Sequence, residues 1–139
     1  MQTITEIQNE IIEEFSMFEE WMDKYEYVID LGKGIETLSE DLKKDEFLIK
    51  GCQSRVWLVP KYEDEKIIFS ADSDAIITKG IASLVIRVFS NRTPDEIINA
   101  DIFFVDKIGL AQNLSPTRAN GLASMIDKIK HYATLGAKN

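Results

Sequence analysis

The chain has 139 residues, enough for one domain whose core needs no disulfide or metal staple. Its 24 acidic residues outnumber 16 basic ones, and a net charge of −8 argues against a nucleic-acid backbone as partner. No apolar stretch reaches the ~18–20 residues that span a bilayer, Met1–Glu10 lacks the basic and apolar regions of a signal peptide, and a lone cysteine suits a reducing cytosol.

Thr3 and Glu6 form a capping box, after which Ile4, Ile7, Ile11, Phe15, Phe18, Met22 and Tyr25 recur at helical spacing. The pattern predicts one long helix with an apolar stripe and a glutamate-rich solvent face. Asp23 and Glu26 then cap a short second helix carrying Tyr27, Val28 and Leu31, which Gly32 ends. Gly32-Lys33-Gly34 is too short for a phosphate loop. The polar segment 33–45 reads as a loop with one helical turn around Leu38 and Leu42.

Phe47-Leu48-Ile49 reads as a short strand leading into a glycine-initiated loop. From Ser54 the chain alternates, with Arg55, Trp57 and Val59 on one side and Val56, Leu58 and Pro60 on the other. Glu63-Asp64-Glu65 is the turn of a hairpin and Ile67-Ile68-Phe69-Ser70 the returning strand. Asp72-Ser73-Asp74 supplies caps for a helix through Ile76, Ile77, Ile81, Leu84, Val85 and Val88, apolar nearly all round and therefore central. Thr93-Pro94-Asp95-Glu96 starts another helix with an N-cap, a proline at the first position and a capping-box glutamate. Residues 102–110 have strand-like composition. Ser115-Pro116 starts the last helix, with Ala119, Leu122, Met125, Ile126, Ile129 and Tyr132 or Ala133 inward. No repeat or linker divides residues 1–139, which read as a single domain.

Cys52 is the only cysteine, in Gly51-Cys52-Gln53-Ser54-Arg55-Val56-Trp57. Gly51 frees the backbone for close approach by another molecule. One thiol cannot form an internal disulfide and supplies too few soft ligands for structural zinc. It is either an inert core cysteine or a nucleophile, and polar Gln53 and Ser54 make this an unusual setting for core. Arg118 lies in the first turn of the last helix, against the dipole preference; it is a solvated surface arginine or serves something else. Asp74 caps a helix or restrains the cysteine loop. Asp72 and Asp74 make a poor metal cage. His131, in the last turns of the final helix, complements the dipole. No Walker-type loop, dinucleotide fingerprint or Gly-x-Ser-x-Gly elbow is present.

The heptapeptide Gly-Cys-Gln-Ser-Arg-Val-Trp resembles the signature of the SufE family, sulfur acceptors that work with a cysteine desulfurase in iron–sulfur cluster assembly. Trp21, Lys24 and Tyr25 leading into Ile29-Asp30-Leu31-Gly32 match in order. So do Asp72-Ser73-Asp74-Ala75, Lys79-Gly80, and Leu114-Ser115-Pro116-Thr117-Arg118 with Gly121-Leu122. The resemblance covers almost the whole chain.

It implies an α+β fold similar to the cluster scaffolds, a three-stranded antiparallel sheet with helices mainly on one face, and it favours helix over strand at 102–110. It implies Cys52 as persulfide acceptor, with Gly51, Gln53, Ser54, Asp74 and Arg118 in support. Val56 and Trp57 would shield the sulfur; Arg55 is a position that varies in the family. The implied partners are a SufS-like or CsdA-like desulfurase, which owns the pyridoxal phosphate, and a SufBCD-like scaffold. No cofactor or metal of its own is expected, and a homodimer stays open. The competing expectations are a binding-only regulator of a desulfurase and a free-standing cysteine enzyme. The latter lacks an evident base.

Overall fold

A computed structural model describes residues 2–50 and 54–137. The capping box forms as expected: Thr3 Oγ1 accepts from Glu6 N–H and Glu6 Oε1 from Thr3 N–H, both at 3.0 Å, opening α1 (Ile4–Ser16). The expected long helix is broken at 17–20, and α2 (Trp21–Gly32) runs separately. The break folds Phe15 and Phe18 onto Tyr27, with ring centroids 5.2 and 5.0 Å apart. That aromatic cluster offsets the lost helical turn, and it leaves Met22, expected inside, 66% exposed.

Gly32 does not stop α2 by a left-handed cap; the cap residue Lys33 is right-handed. Its role is contact with α3 (Ile76–Phe89): a Cβ on Gly32 would stand 2.7 Å from Gly80 N, and one on Gly80 would run into the carbonyl of Val28. Two glycines therefore let the α2 and α3 backbones touch. α3 is the central helix, burying Ile77, Ile81, Leu84, Val85, Val88 and Phe89, although Ile76 at its start is exposed.

Strands β1 (Val56–Glu63) and β2 (Lys66–Ser73) form an antiparallel hairpin, Val56 opposite Ser73 through Glu63 opposite Lys66. Its turn residues Asp64 and Glu65 both have positive φ, 51° and 66°, the twist a two-residue hairpin needs. Val56, Leu58, Ile67, Phe69 and Ala71 share one buried face, against α3 and against α7 (Pro116–Ala137). Tyr62 Oη donates to the Tyr132 carbonyl at 3.0 Å.

The sheet has two strands, not three. Asp45–Phe47 is a 3-10 turn in which Leu48 N–H bonds back to the Asp45 carbonyl at 3.1 Å. Backbone groups used in that turn cannot extend a ladder, so the third strand shrinks to one bridge, Leu48 opposite Trp57, with Ile49 N–H donating to Val56 O at 2.8 Å. A matching single bridge, Ile67 opposite Arg92, flanks β2.

The proline-initiated α4 (Pro94–Ile98) carries the expected capping box. Residues 102–110 hold α5 (Phe104–Lys107) and the start of α6 (Leu110–Asn113), not a strand. Buried Gln8 explains why: its Oε1 accepts from Phe103 and Phe104 N–H at 2.8 and 3.1 Å, and its Nε2 donates to Asp101 O at 3.0 Å. One side chain thus satisfies the backbone where a strand would need a neighbour. Among the described residues no helix is long and apolar enough to cross a membrane.

Candidate functional site

Gly51, Cys52 and Gln53 lie outside the described residues, but the residues on either side of them are described. The incoming stem is held by Ile49, 4% exposed and bonded to buried Val56. The outgoing stem is latched to the junction between β2 and α3. Arg55 N–H donates to Asp74 Oδ1 at 3.0 Å, Asp74 N–H donates to Arg55 O at 3.2 Å, and Ser73 Oγ donates to the same carbonyl at 2.8 Å. Ser54 Oγ lies 3.0 Å from Thr78 Oγ1, on the first turn of α3.

The residues expected to cap α3 therefore do something else. Its N-cap is Ala75, with no side-chain cap bond, because the Asp74 carboxylate is turned to Arg55. Asp72, 2% exposed, reaches the opposite way. It accepts from Leu38 N–H at 3.1 Å and Ser73 N–H at 2.8 Å and pairs with Lys79 at 3.3 Å and Lys43 at 3.7 Å. Burial works to raise the Asp72 pKa, but the Ser73 and Leu38 amides and the Lys79 ammonium outweigh it and hold the carboxyl below the usual range. Lys43 also lies over the Trp57 ring, 5.4 Å from its centroid. The loop before the cysteine is thereby tied across the outer face of the hairpin.

Arg118 lies in the first turn of α7, half-buried, with Nη1 3.4 Å from Tyr25 Oη. This joins two parts of the sequence pattern, the Trp21–Tyr25 helix and the Ser115–Arg118 turn. His131 stands more than a turn before the end of α7, which carries no basic residue in its last turn, so it does not complement the dipole there. With Asp127 and Lys128 it faces Leu48, Ile49 and Lys50 across a cavity of about 610 Å³ beside the incoming stem. Among the described residues no cluster of three His, Cys, Asp or Glu is arranged to hold a metal ion.

Thr78 is a site residue that the sequence does not single out. Its one signal is a polar side chain on the buried side of an apolar helix, 6% exposed in the fold. The described residues on either side of Gly51–Gln53 are each fixed, Ile49 to Val56 and Arg55 to Asp74.

A family model described as SufE, an Fe-S metabolism associated domain, matches residues 9–133. An uncharacterized SufE-like protein of Rhizobium meliloti (strain 1021) is 41% identical over 130 residues, covering 90% of this chain and 93% of that protein. One from Rhizobium etli is 39% identical over 134 residues, covering 93% and 90%. The solution structure of a hypothetical protein from Thermus thermophilus shares the fold, with a TM-score of 0.77 at 13% identity over 96% of this chain and 97% of that one.

Proposed function

The chain belongs to the SufE family, whose domain is associated with Fe-S metabolism, and on that premise we propose that it carries sulfur on Cys52 for iron–sulfur cluster assembly. The Cys52 thiolate attacks the outer sulfur of a persulfide on a pyridoxal-phosphate cysteine desulfurase. A new S–S bond forms on Cys52, the partner's S–S bond breaks, and the partner's cysteine leaves as thiolate. No oxidant or reductant is consumed. The sulfur then passes in the same way to a cluster scaffold. Removing the persulfide accelerates the desulfurase, which is of the SufS or CsdA type and works in the cytoplasm.

The observation that supports this reading is the lone cysteine in the family's heptapeptide, between flanking residues that are separately anchored. With no second cysteine, a Cys52 persulfide cannot collapse into an internal disulfide. Anchored flanks keep the hairpin in shape while Cys52 meets a partner. Gly51 supplies the backbone freedom, Gln53 and Ser54 polar donors, and Arg118 a positive charge for the persulfide or the partner.

Intact-protein mass spectrometry after mixing with a desulfurase and free cysteine tests the reading. Wild type is expected to gain one or two sulfur atoms, about 32 Da each, reversed by reductant, and Cys52→Ser none. Acceleration of the desulfurase without any mass gain would replace the carrier with a regulator that only binds.

A further inference from the structure

Among the described residues that α3 buries, Thr78 alone has a polar side chain. It is 6% exposed, in a helix end where Ile77 and Ile81 are buried. Valine has nearly the same shape and would fill that space without taking a hydroxyl out of water, a transfer that costs free energy unless the group is bonded. Here the hydroxyl is bonded across 24 residues, with Ser54 Oγ at 3.0 Å from Thr78 Oγ1. Packing alone does not select threonine at this position; the hydroxyl acts on residue 54.

The bonds that fix the residues after Cys52 differ in what they hold. Asp74 and Ser73 hold the Arg55 backbone, Asp74 Oδ1 accepting from its N–H and Ser73 Oγ donating to its carbonyl. Bonds to the main chain form whatever side chain stands at position 55. Thr78 instead holds a side chain, that of Ser54, two positions from Cys52 in the chain. Its own helix is central, with the Gly80 backbone against Val28 of α2 and one face packed on β2. Ser54 is thereby tied to the core of the molecule.

We infer that Thr78 is a positioning residue for sulfur transfer, acting through the Ser54 hydroxyl on the orientation of Cys52. The inference rests on the reading that Cys52 carries sulfur. Transfer requires the attacking sulfur to align with the partner's S–S bond, and rate inside the complex is lost when the nucleophile samples other orientations. Removing the Thr78 hydroxyl frees the Ser54 side chain and leaves the Arg55 backbone bonds in place. Buried Thr78 presents nothing to a partner, so the effect falls on the rate within the complex and not on docking.

Single-turnover transfer to the full chain tests this. A cysteine desulfurase already carrying persulfide is mixed in excess with the chain and quenched at intervals. The sulfur gained is read by intact mass across a range of desulfurase concentrations, with thermal midpoints measured alongside. Thr78→Val is expected to lower the saturating rate about fivefold, the effect of one neutral hydrogen bond. The half-saturating concentration is expected to stay within about twofold of wild type. Thr78→Ser, which keeps the hydroxyl, is expected to restore the rate to within about twofold. In a Ser54→Ala background, Thr78→Val is expected to change nothing further.

An unchanged rate in Thr78→Val, with wild type gaining sulfur, overturns the inference and leaves the carrier reading standing. So does a loss that serine does not restore, a further loss in the Ser54→Ala background, or a rate that falls only in proportion to folded protein. A rise in the half-saturating concentration alone overturns it as well, by placing Thr78 in docking. If wild type gains no sulfur, the carrier reading and this inference fall together.

Discussion

Arg55 and Asp74 hold each other through two hydrogen bonds running in opposite directions, Arg55 N–H to Asp74 Oδ1 at 3.0 Å and Asp74 N–H to the Arg55 carbonyl at 3.2 Å. The first depends on the carboxylate; the second survives any side chain. Asp74→Ala is therefore expected to loosen the outgoing stem without releasing it, lowering stability by about 1 kcal/mol. Asp74→Asn, which keeps an acceptor, should stay close to wild type. The check is hydrogen exchange at the Arg55 amide, and unchanged protection in the alanine variant would show that the latch does not rest on this bond.

Glu14 joins the first three helices through one carboxylate. It accepts from Arg87 at 2.9 and 2.5 Å and from Tyr27 Oη at 2.5 Å. The Arg87 bond lowers its pKa below the ordinary 4.5, burial opposes, and the Tyr27 bond adds to the lowering. A depressed carboxyl stabilises the fold above its unfolded pKa, and that stability is lost as pH falls below about 4.5 toward the folded value. Glu14→Gln should flatten this acid limb and cost about 1–2 kcal/mol at neutral pH, since the pair is only partly buried. Denaturant midpoints from pH 3 to 7 decide it.

Tyr27 makes the opposite prediction at high pH. Burial first, then the Glu14 bond, pushes its hydroxyl from 10.0 up to about 12. The neutral phenol is favoured in the folded state, so its contribution is full below about pH 10 and declines as pH rises toward about 12. Tyr27→Phe should remove that alkaline decline. An unchanged slope between pH 9 and 12 would assign the decline to other groups.

Gly80→Ala is expected to cost about 2–3 kcal/mol, because the methyl would press on the Val28 backbone, which cannot turn aside. Gly34→Ala is the control. Its Cβ would come no nearer than 3.4 Å to Leu31 O, so a change within about 0.5 kcal/mol is expected. Similar losses at both positions would mean that the close approach of Gly80 to Val28 does not set the result.

The hairpin turn is held in left-handed backbone by Asp64, which tolerates it, and by Glu65, which does not favour it. Replacing them together by Asn and Gly should raise stability by about 1 kcal/mol, a few degrees in Tm.

Elements marked by local chemistry are legible in the amino-acid sequence alone. The Thr3 and Thr93 capping boxes, the hairpin turning near Asp64 and the mostly apolar α3 each depend on residues within a few positions of one another. The features that are not legible depend on partners distant in the chain. Nothing near Phe18 announces that Tyr27 will draw the chain back and split the first helix. Nothing near Leu48 shows that a 3-10 turn will consume the groups a third strand needs. At the candidate site, Ser54 and Asp74 can be nominated, but their partners Thr78 and the Arg55 backbone lie 24 and 19 residues away from them. The pairing is tertiary, so residue type alone does not supply it.

Gln8 ties the N-terminal helix to a distant loop in a way that bears on how the chain can be handled. Its amide is the partner of Asp101, Phe103 and Phe104 main-chain groups, ninety-odd positions downstream. A fragment lacking the opening helix would take this partner from all three groups, and the buried Phe104 N–H would be left without it in the interior. The first helix is thus part of the folded unit: folding cannot finish until it has met the 101–104 segment.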